Sequence, residues 1–161
     1  MERNASPISG NQSGVMLLEA LIAILVFSLG ILSVVALQAT TVQLTSDAKY
    51  RTDATLLANR LLGQMWTSSG NLTAMKTAFQ SNPAGTAYNA WLADVSGRDG
   101  LPGVVAASTG VVSTLPTVTV DDTAGATAGQ VVIILRWRTP EMPLNAAGHQ
   151  HVVVSQVSRN P

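Results

Sequence analysis

The feature that most limits how this chain can fold is an apolar segment close to its amino terminus. No charged side chain occurs from residue 20 to residue 46, and over residues 20–37 only Ser28, Gly30 and Ser33 are not plainly apolar. As a helix these eighteen residues would rise about 27 Å, close to the roughly 30 Å of a hydrocarbon core. A helix in a soluble core normally has a polar stripe over such a length. The segment is therefore predicted to span a membrane.

A cleaved secretory signal is the first alternative for this segment. Such signals have an apolar part of about 7 to 15 residues, followed by a cleavage site made of small residues. Here the apolar part is longer and runs on into sequence that is compatible with a helix, without a proline or another glycine until Gly63. The segment is predicted to be retained.

One carboxylate, Glu19, lies where the apolar segment begins. An acid at the centre of a membrane helix costs about 2.5 to 3.5 kcal/mol on insertion scales, but near the end of a span it can reach the interface, so a tolerated boundary residue is one interpretation. The other interpretation starts from the polar stretch that precedes it, MERNASPISGNQSG, which ends at Gly14. Cleavage after Gly14 would create an amine at Val15, one helical turn from Glu19 and able to pair with a carboxylate of the same or a neighbouring chain.

Gly14, four further residues, Glu19 and about twenty apolar residues resemble the class III signal of the type IV pilin superfamily. The resemblance implies that a prepilin peptidase cleaves between Gly14 and Val15 and methylates the new amine of Val15. It also implies that Glu19 meets the amine of a neighbouring subunit during filament assembly. Two features depart from the usual pattern: Val15 stands where phenylalanine or methionine is common, and the leader carries Glu2 beside Arg3.

The sequence LLEALIAILVFSLGILSVVALQ, followed by YRTDATLLANRLLGQMWTS, is similar to minor pilins of the PilV family. This resemblance implies a non-enzymatic subunit that helps to initiate or modify type IV pilus assembly. The implied partners are other minor pilins, the major pilin, the prepilin peptidase, the inner-membrane assembly platform and, in many systems, a large tip adhesin. The implied location is the bacterial inner membrane, with the head in the periplasm, and then the pilus or its tip. Minor pseudopilins of the I type, from type II secretion, share the amino-terminal pattern and remain an alternative.

Three regions follow from these patterns: a leader over residues 1–14, a transmembrane and assembly helix over 15–38, and a periplasmic head over 39–161. The helix is expected to continue into the head, for about fifty residues in all, and to end near Gly70. Spacings of three and four predict a buried face on its second half. The residues of that face are Ala54, Leu57, Ala58, Leu61 and Met65.

Two short helices and then strands are predicted beyond Gly70. Asn71 is placed to cap the first short helix, and residues 88–95 carry a packing stripe on the second. The β-branched stretches GVVAAS, VVSTLPTVTV, QVVIILRWR and HQHVVVSQV predict an antiparallel sheet, with alternate residues of the third stretch facing the long helix. The expected class is α+β, with a pilin-like long helix packed on a carboxy-terminal sheet.

Composition and motifs restrict the chemistry of the head. Charged residues make up 11% of the chain and balance to zero, so no basic face for nucleic acid is expected, and the absence of cysteine rules out disulfides and thiol chemistry. His149 and His151 would share a strand face but lack an obvious third metal ligand, and Asp121 and Asp122 lack EF-hand spacing. No catalytic residue, metal site or cofactor is predicted. A membrane-tethered periplasmic binding protein or enzyme is the remaining alternative from a different class.

Overall fold

The computed structural model describes residues 13–123 and 128–158, so nearly all of the predicted leader lies outside the described residues. Contacts divide the chain into an amino-terminal unit, residues 1–46, and a second unit, residues 47–161, which we call the head. The described elements are three helices followed by three strands: α1 (Ser13–Thr67), α2 (Leu72–Phe79), α3 (Thr86–Ser96), β1 (Thr117–Asp121), β2 (Ala128–Trp137) and β3 (His149–Ser158). The α+β class is as predicted.

The amino-terminal unit contains the first part of α1. Every residue from 14 to 45 is exposed, including large apolar side chains such as Leu25, Phe27 and Leu32. Among the described residues, α1 is the one helix long and apolar enough to cross a membrane, and none of its most apolar window is buried. The prediction of a long apolar helix near the amino terminus is confirmed.

In the head, the second part of α1 packs on the other elements through the predicted face. Ala54, Ala58, Leu61 and Met65 are fully buried, and Leu57 lies against the same core, half-buried. The helix ends at Thr67, and Gly70 follows with φ +108°, a conformation that side chains with a Cβ rarely adopt. Gly70 thereby allows the chain to change direction between α1 and α2.

Helices α2 and α3 close the core on one side. The Asn71 side chain caps α2 by accepting a hydrogen bond from the Ala74 N–H at 2.9 Å, as predicted. The buried residues of the two helices are Leu72, Met75 and Phe79 in α2 and Tyr88, Trp91 and Val95 in α3. Two hydrogen bonds fix α3: the Trp91 indole N–H donates to the Leu57 carbonyl at 3.0 Å, and the Tyr88 hydroxyl donates to the Pro116 carbonyl at 2.8 Å. Burial raises the pKa of Tyr88.

The sheet is antiparallel, with the order β1-β2-β3. Its central strand alternates as predicted, with one set of side chains in the core: Val131, Ile133, Leu135 and Trp137. Val118 and Val120 of β1 and Val157 of β3 join the same core. The second part of α1 and the sheet thus share one set of buried side chains.

The strand predicted over residues 103–108 is wrong, and the strand predicted over residues 111–120 is confirmed only in its last four residues, which belong to β1. Residues 103–116 lie outside the sheet, with one isolated bridge between Ser108 and Val111. The reason is that the backbone groups of this stretch bond to side chains and loops. The Thr114 hydroxyl accepts from the Val105 N–H at 2.8 Å, and the Val112 N–H donates to the Leu144 carbonyl at 3.0 Å. The β-branched residues of this stretch therefore do not form the hydrogen-bonded strands that their composition favours.

Candidate functional site

The candidate site is the amino-terminal turn of α1, where Gly14, Val15 and Glu19 lie. All three residues are helical and exposed, and the Val15 side chain is 68% accessible. Because helix neighbours four residues apart share a face, Val15 and Glu19 stand one above the other. A Cβ placed on Gly14 would meet nothing within 4 Å. The peptide bond between Gly14 and Val15 is therefore unobstructed by other described parts of the chain.

Glu19 is the one charged side chain of the apolar segment, and the part of the chain that the structure describes offers it no partner. Between residues 13 and 46 it is the only charged side chain in the sequence, and it forms neither a hydrogen bond nor an ion pair with any residue in 13–123 or 128–158. An unpaired carboxylate on an apolar helix is costly in lipid. The arrangement leaves Glu19 free to accept a cation from outside the described chain.

The serine and threonine hydroxyls over residues 28–46 bond within the helix itself. Ser28 donates to the Ile24 carbonyl at 2.7 Å, and Ser33 donates to the Leu29 carbonyl at 2.9 Å. Four further hydroxyls near the end of the unit bond in the same way, from Thr40, Thr41, Thr45 and Ser46. Backbone carbonyls of the preceding turn thus remove the need for water, as a helix in lipid requires. The Glu19 carboxylate has no proton to donate to a carbonyl, so it cannot be satisfied in this way.

The side of α1 that carries Glu19 combines small and larger apolar residues. At 100° per residue, Ala23, Gly30 and Ser33 fall within about 40° of Glu19 around the helix axis, and so do Val26 and Leu37. A Cβ added at Gly30 would meet nothing within 4 Å. Small residues along one side are the pattern by which membrane helices approach each other closely.

The two histidines lie together on β3, as the spacing predicted, and both face α1 in the head. His151 Nε2 is 3.3 Å from the Thr55 hydroxyl oxygen, and His149 Nε2 is 3.9 Å from an Asp47 carboxylate oxygen. The His149 ring also stacks on Trp137, with centroids 5.7 Å apart. Within residues 13–123 and 128–158 no group of three or more histidine, cysteine, aspartate or glutamate side chains is arranged to hold a metal ion. The histidines contribute to packing between α1 and β3.

The adjacent acids at the end of β1, Asp121 and Asp122, bond to different partners. Asp122 pairs with Lys76 of α2 at 2.8 Å, which lowers the pKa of Asp122, while Asp121 accepts the Thr123 N–H at 2.9 Å, which lowers the pKa of Asp121. Residues 124–127 lie outside the described residues. Each carboxylate is already engaged in fixing the end of β1.

Sequence patterns gave no sign of two polar groups that organise the head. Arg138 is buried, and its guanidinium donates to the Val112 carbonyl at 2.9 Å and the Ala146 carbonyl at 3.0 Å, holding two loops together. Ser81 bonds to the backbone of Val118 in β1. Both side chains reach partners far along the chain, so no local signal marks them.

The comparisons with known proteins do not assign the chain to a family. No protein-family model matches it, and neither a curated protein nor a solved structure does. The functional assignment therefore rests on the amino-terminal pattern and on the geometry described above.

Proposed function

We propose that this chain is a minor pilin of the PilV type, a non-enzymatic subunit that takes part in initiating or modifying type IV pilus assembly. The observation that carries the proposal is the position of Gly14, Val15 and Glu19 in the first turns of an exposed apolar helix. That helix continues to Thr67 as a single element and takes part in the core of the head. A helix serving only as a tether has no need of a glycine and an acid at this spacing.

The proposed maturation begins at the exposed peptide bond after Gly14. A prepilin peptidase cleaves this bond on the cytoplasmic face of the inner membrane and methylates the amine of Val15. The new amine carries a positive charge one turn from Glu19. Processing therefore adds one cation, on each subunit, to a segment over residues 15–46 whose only charged side chain is Glu19.

The proposed assembly step pairs these charges between subunits. An unpaired carboxylate and an unpaired ammonium are each costly in lipid, whereas a pair costs less, so a subunit is favoured where its neighbour offers the opposite charge. The small residues on the Glu19 side, Ala23, Gly30 and Ser33, allow a neighbouring helix to come close. The partners in this step are other minor pilins and the major pilin at the inner-membrane platform, with a tip adhesin as a further candidate.

Substitution of Glu19 tests the assembly role. We expect Glu19→Ala to insert into the membrane as well as the unaltered chain, because the substitution makes the segment more apolar, and to be depleted at least tenfold from sheared filaments. Leu18→Ala, a truncation of the exposed neighbouring side chain, is the matched control and should be incorporated normally. Normal incorporation of Glu19→Ala would contradict the assembly role.

A type II secretion pseudopilin of the I type would share this amino-terminal chemistry. The location of the processed chain separates the two proposals. A minor pilin is recovered with sheared surface filaments, whereas a pseudopilin stays with the cell envelope and its deletion blocks secretion of folded exoproteins. Neighbouring genes provide an independent discriminator.

A further inference from the structure

The two edges of the sheet differ in whether another strand can be added. Exposed strand edges are templates for pairing with a further chain, and proteins commonly block them. The edge of β1 is blocked by Ser81: its N–H donates to the Val118 carbonyl at 3.0 Å, and its hydroxyl lies 3.1 Å from both the Val118 nitrogen and the Val118 oxygen. The edge strand β1 is also short, at five residues.

The Ser81 contacts establish which backbone groups point out of the sheet. Because Ser81 bonds to Val118 from outside, the N–H and C=O of Val118 point away from β2. In antiparallel strands, hydrogen-bonded and non-hydrogen-bonded residue pairs alternate, and Val118 and Ile133 form a non-hydrogen-bonded pair. The N–H and C=O of Ile133 therefore point to β3, where Ile133 pairs with Val153. The neighbours of Val153 on β3 then direct theirs to the free edge. These residues are Gln150, Val152, Val154 and Gln156.

Nothing in the described chain blocks this second edge. None of these four residues forms a hydrogen bond outside the β2–β3 pairing with any residue in 13–123 or 128–158. Strand β3 is ten residues long, and it contains no proline, glycine, lysine, arginine or acid. Val152 and Val154 are 47% and 58% exposed. The devices that usually protect an edge strand are missing here.

The outer face beside this edge is apolar and regular. Val154 stands opposite Val132 of β2, and Val152 stands opposite Ile134. A strand added at β3 would place alternate side chains beside this set, since cross-strand neighbours on one face lie about 5 Å apart. Uncharged, β-branched residues opposite the two valines are the side chains that fit.

We propose that the free edge of β3 receives a strand from a different subunit, an uncharged extended segment with β-branched residues opposite Val152 and Val154. The identity of the partner rests on the proposed function, because subunits of a filament make head-to-tail contacts in which one edge meets a different edge of the next subunit. In a head-to-tail contact between sheet edges, a copy of this chain would have to offer β1, and Ser81 closes that edge. The strand that pairs with β3 therefore comes from a subunit with a different sequence.

Proline at Val154 tests the edge directly. Val154→Pro removes an outward N–H and leaves the bonds between β3 and β2 in place, while Val154→Thr keeps both the N–H and the β-branched shape. We expect Val154→Pro to melt like the unaltered head and to be depleted at least tenfold from sheared filaments, and Val154→Thr to be retained. Val152→Pro is a second variant at the same edge. Val153→Pro, which removes an inward N–H, should unfold the head.

The identity of the neighbour can be determined because the chain contains no cysteine. A benzophenone attached through Gln156→Cys should give, in filaments, an adduct with another subunit that disappears when Val154→Pro is added. Equal retention of the proline and threonine variants, equal loss of both, or an adduct between two copies of this chain would each overturn the proposal. The mass of the amino-terminal peptide distinguishes failure of the edge proposal from failure of the proposed function. A wild-type chain that still begins at Met1 and is missing from filaments refutes the proposed function, and the edge proposal with it.

Discussion

Leu29 and Leu61 lie in the same helix, yet Leu29 is 56% exposed and Leu61 is completely buried. The first part of α1 is apolar on all sides and covers none of its side chains, whereas the second part is amphipathic and buries one face in the head. Helix propensity does not separate the two parts. The difference lies in the pattern of apolar residues: the first part is long and apolar enough to cross a membrane, whereas the second has one apolar face that packs in a protein core.

Truncation of a buried leucine gives the largest expected effect on the head. Leu61→Ala should lower the free energy of unfolding of the head by about 2 to 5 kcal/mol, because it leaves a cavity between α1 and the sheet. Leu56→Ala is the matched control, since Leu56 lies in the same part of α1 and is 69% exposed. Denaturant unfolding of the full chain in detergent measures both. Equal effects of the two substitutions would show that the head does not pack on the predicted face.

A charge placed on the exposed surface of each part of α1 tests whether that surface inserts into a membrane. Leu29→Arg should cost about 2.5 to 3.5 kcal/mol in membrane insertion and shift the chain out of the membrane fraction. Leu56→Arg, at a more exposed position of the head, should leave both insertion and folding within about 0.5 kcal/mol of the unaltered chain. Membrane fractionation with alkaline extraction provides the measurement. If both variants insert normally, the first part of α1 is not a membrane span.

Local patterns predicted the elements whose side chains alternate with a clear period. The α1 face through Ala58 and Leu61, the Asn71 cap and the alternation of Val131 and Ile133 could all be read from spacing, because neighbours along the chain determine them. The stretch over 103–114 could not. Its backbone bonds depend on Thr114, Leu144 and Arg138, which meet only in the folded head.

The same limit applied to the candidate sites. Gly14, Val15 and Glu19 were identified from spacing, and the structure places them on an exposed helical turn. The free edge of β3 could not be identified in this way, since the direction of its backbone groups follows from strand pairing and from the Ser81 contact with Val118, 37 residues apart in the chain.

The smallest expected effect concerns acid sensitivity of the head. The pKa of Asp122 is lowered by its hydrogen bond to Lys76, so the charged carboxylate stabilises the head above the usual aspartate pKa of about 3.9, and this stabilisation is lost as the pH falls through the lowered value. Asp122→Asn should therefore be slightly less stable than the unaltered chain near neutral pH and equal to it in strong acid. Because the pair is partly exposed, the difference should shrink with salt. Urea midpoints at two pH values measure it, and a difference that persists in acid would contradict this assignment. Membrane insertion should not change.

Amino-terminal and intact mass spectrometry, on protein taken from native membranes and from sheared filaments, tests the central claim most directly. A minor pilin should be recovered as a chain that begins at Val15 and carries a methyl group on its amine, and this form should be present in the filament fraction. A chain that still begins at Met1 in cells actively assembling filaments would contradict the account, and α1 would then be an uncleaved anchor for a different periplasmic activity.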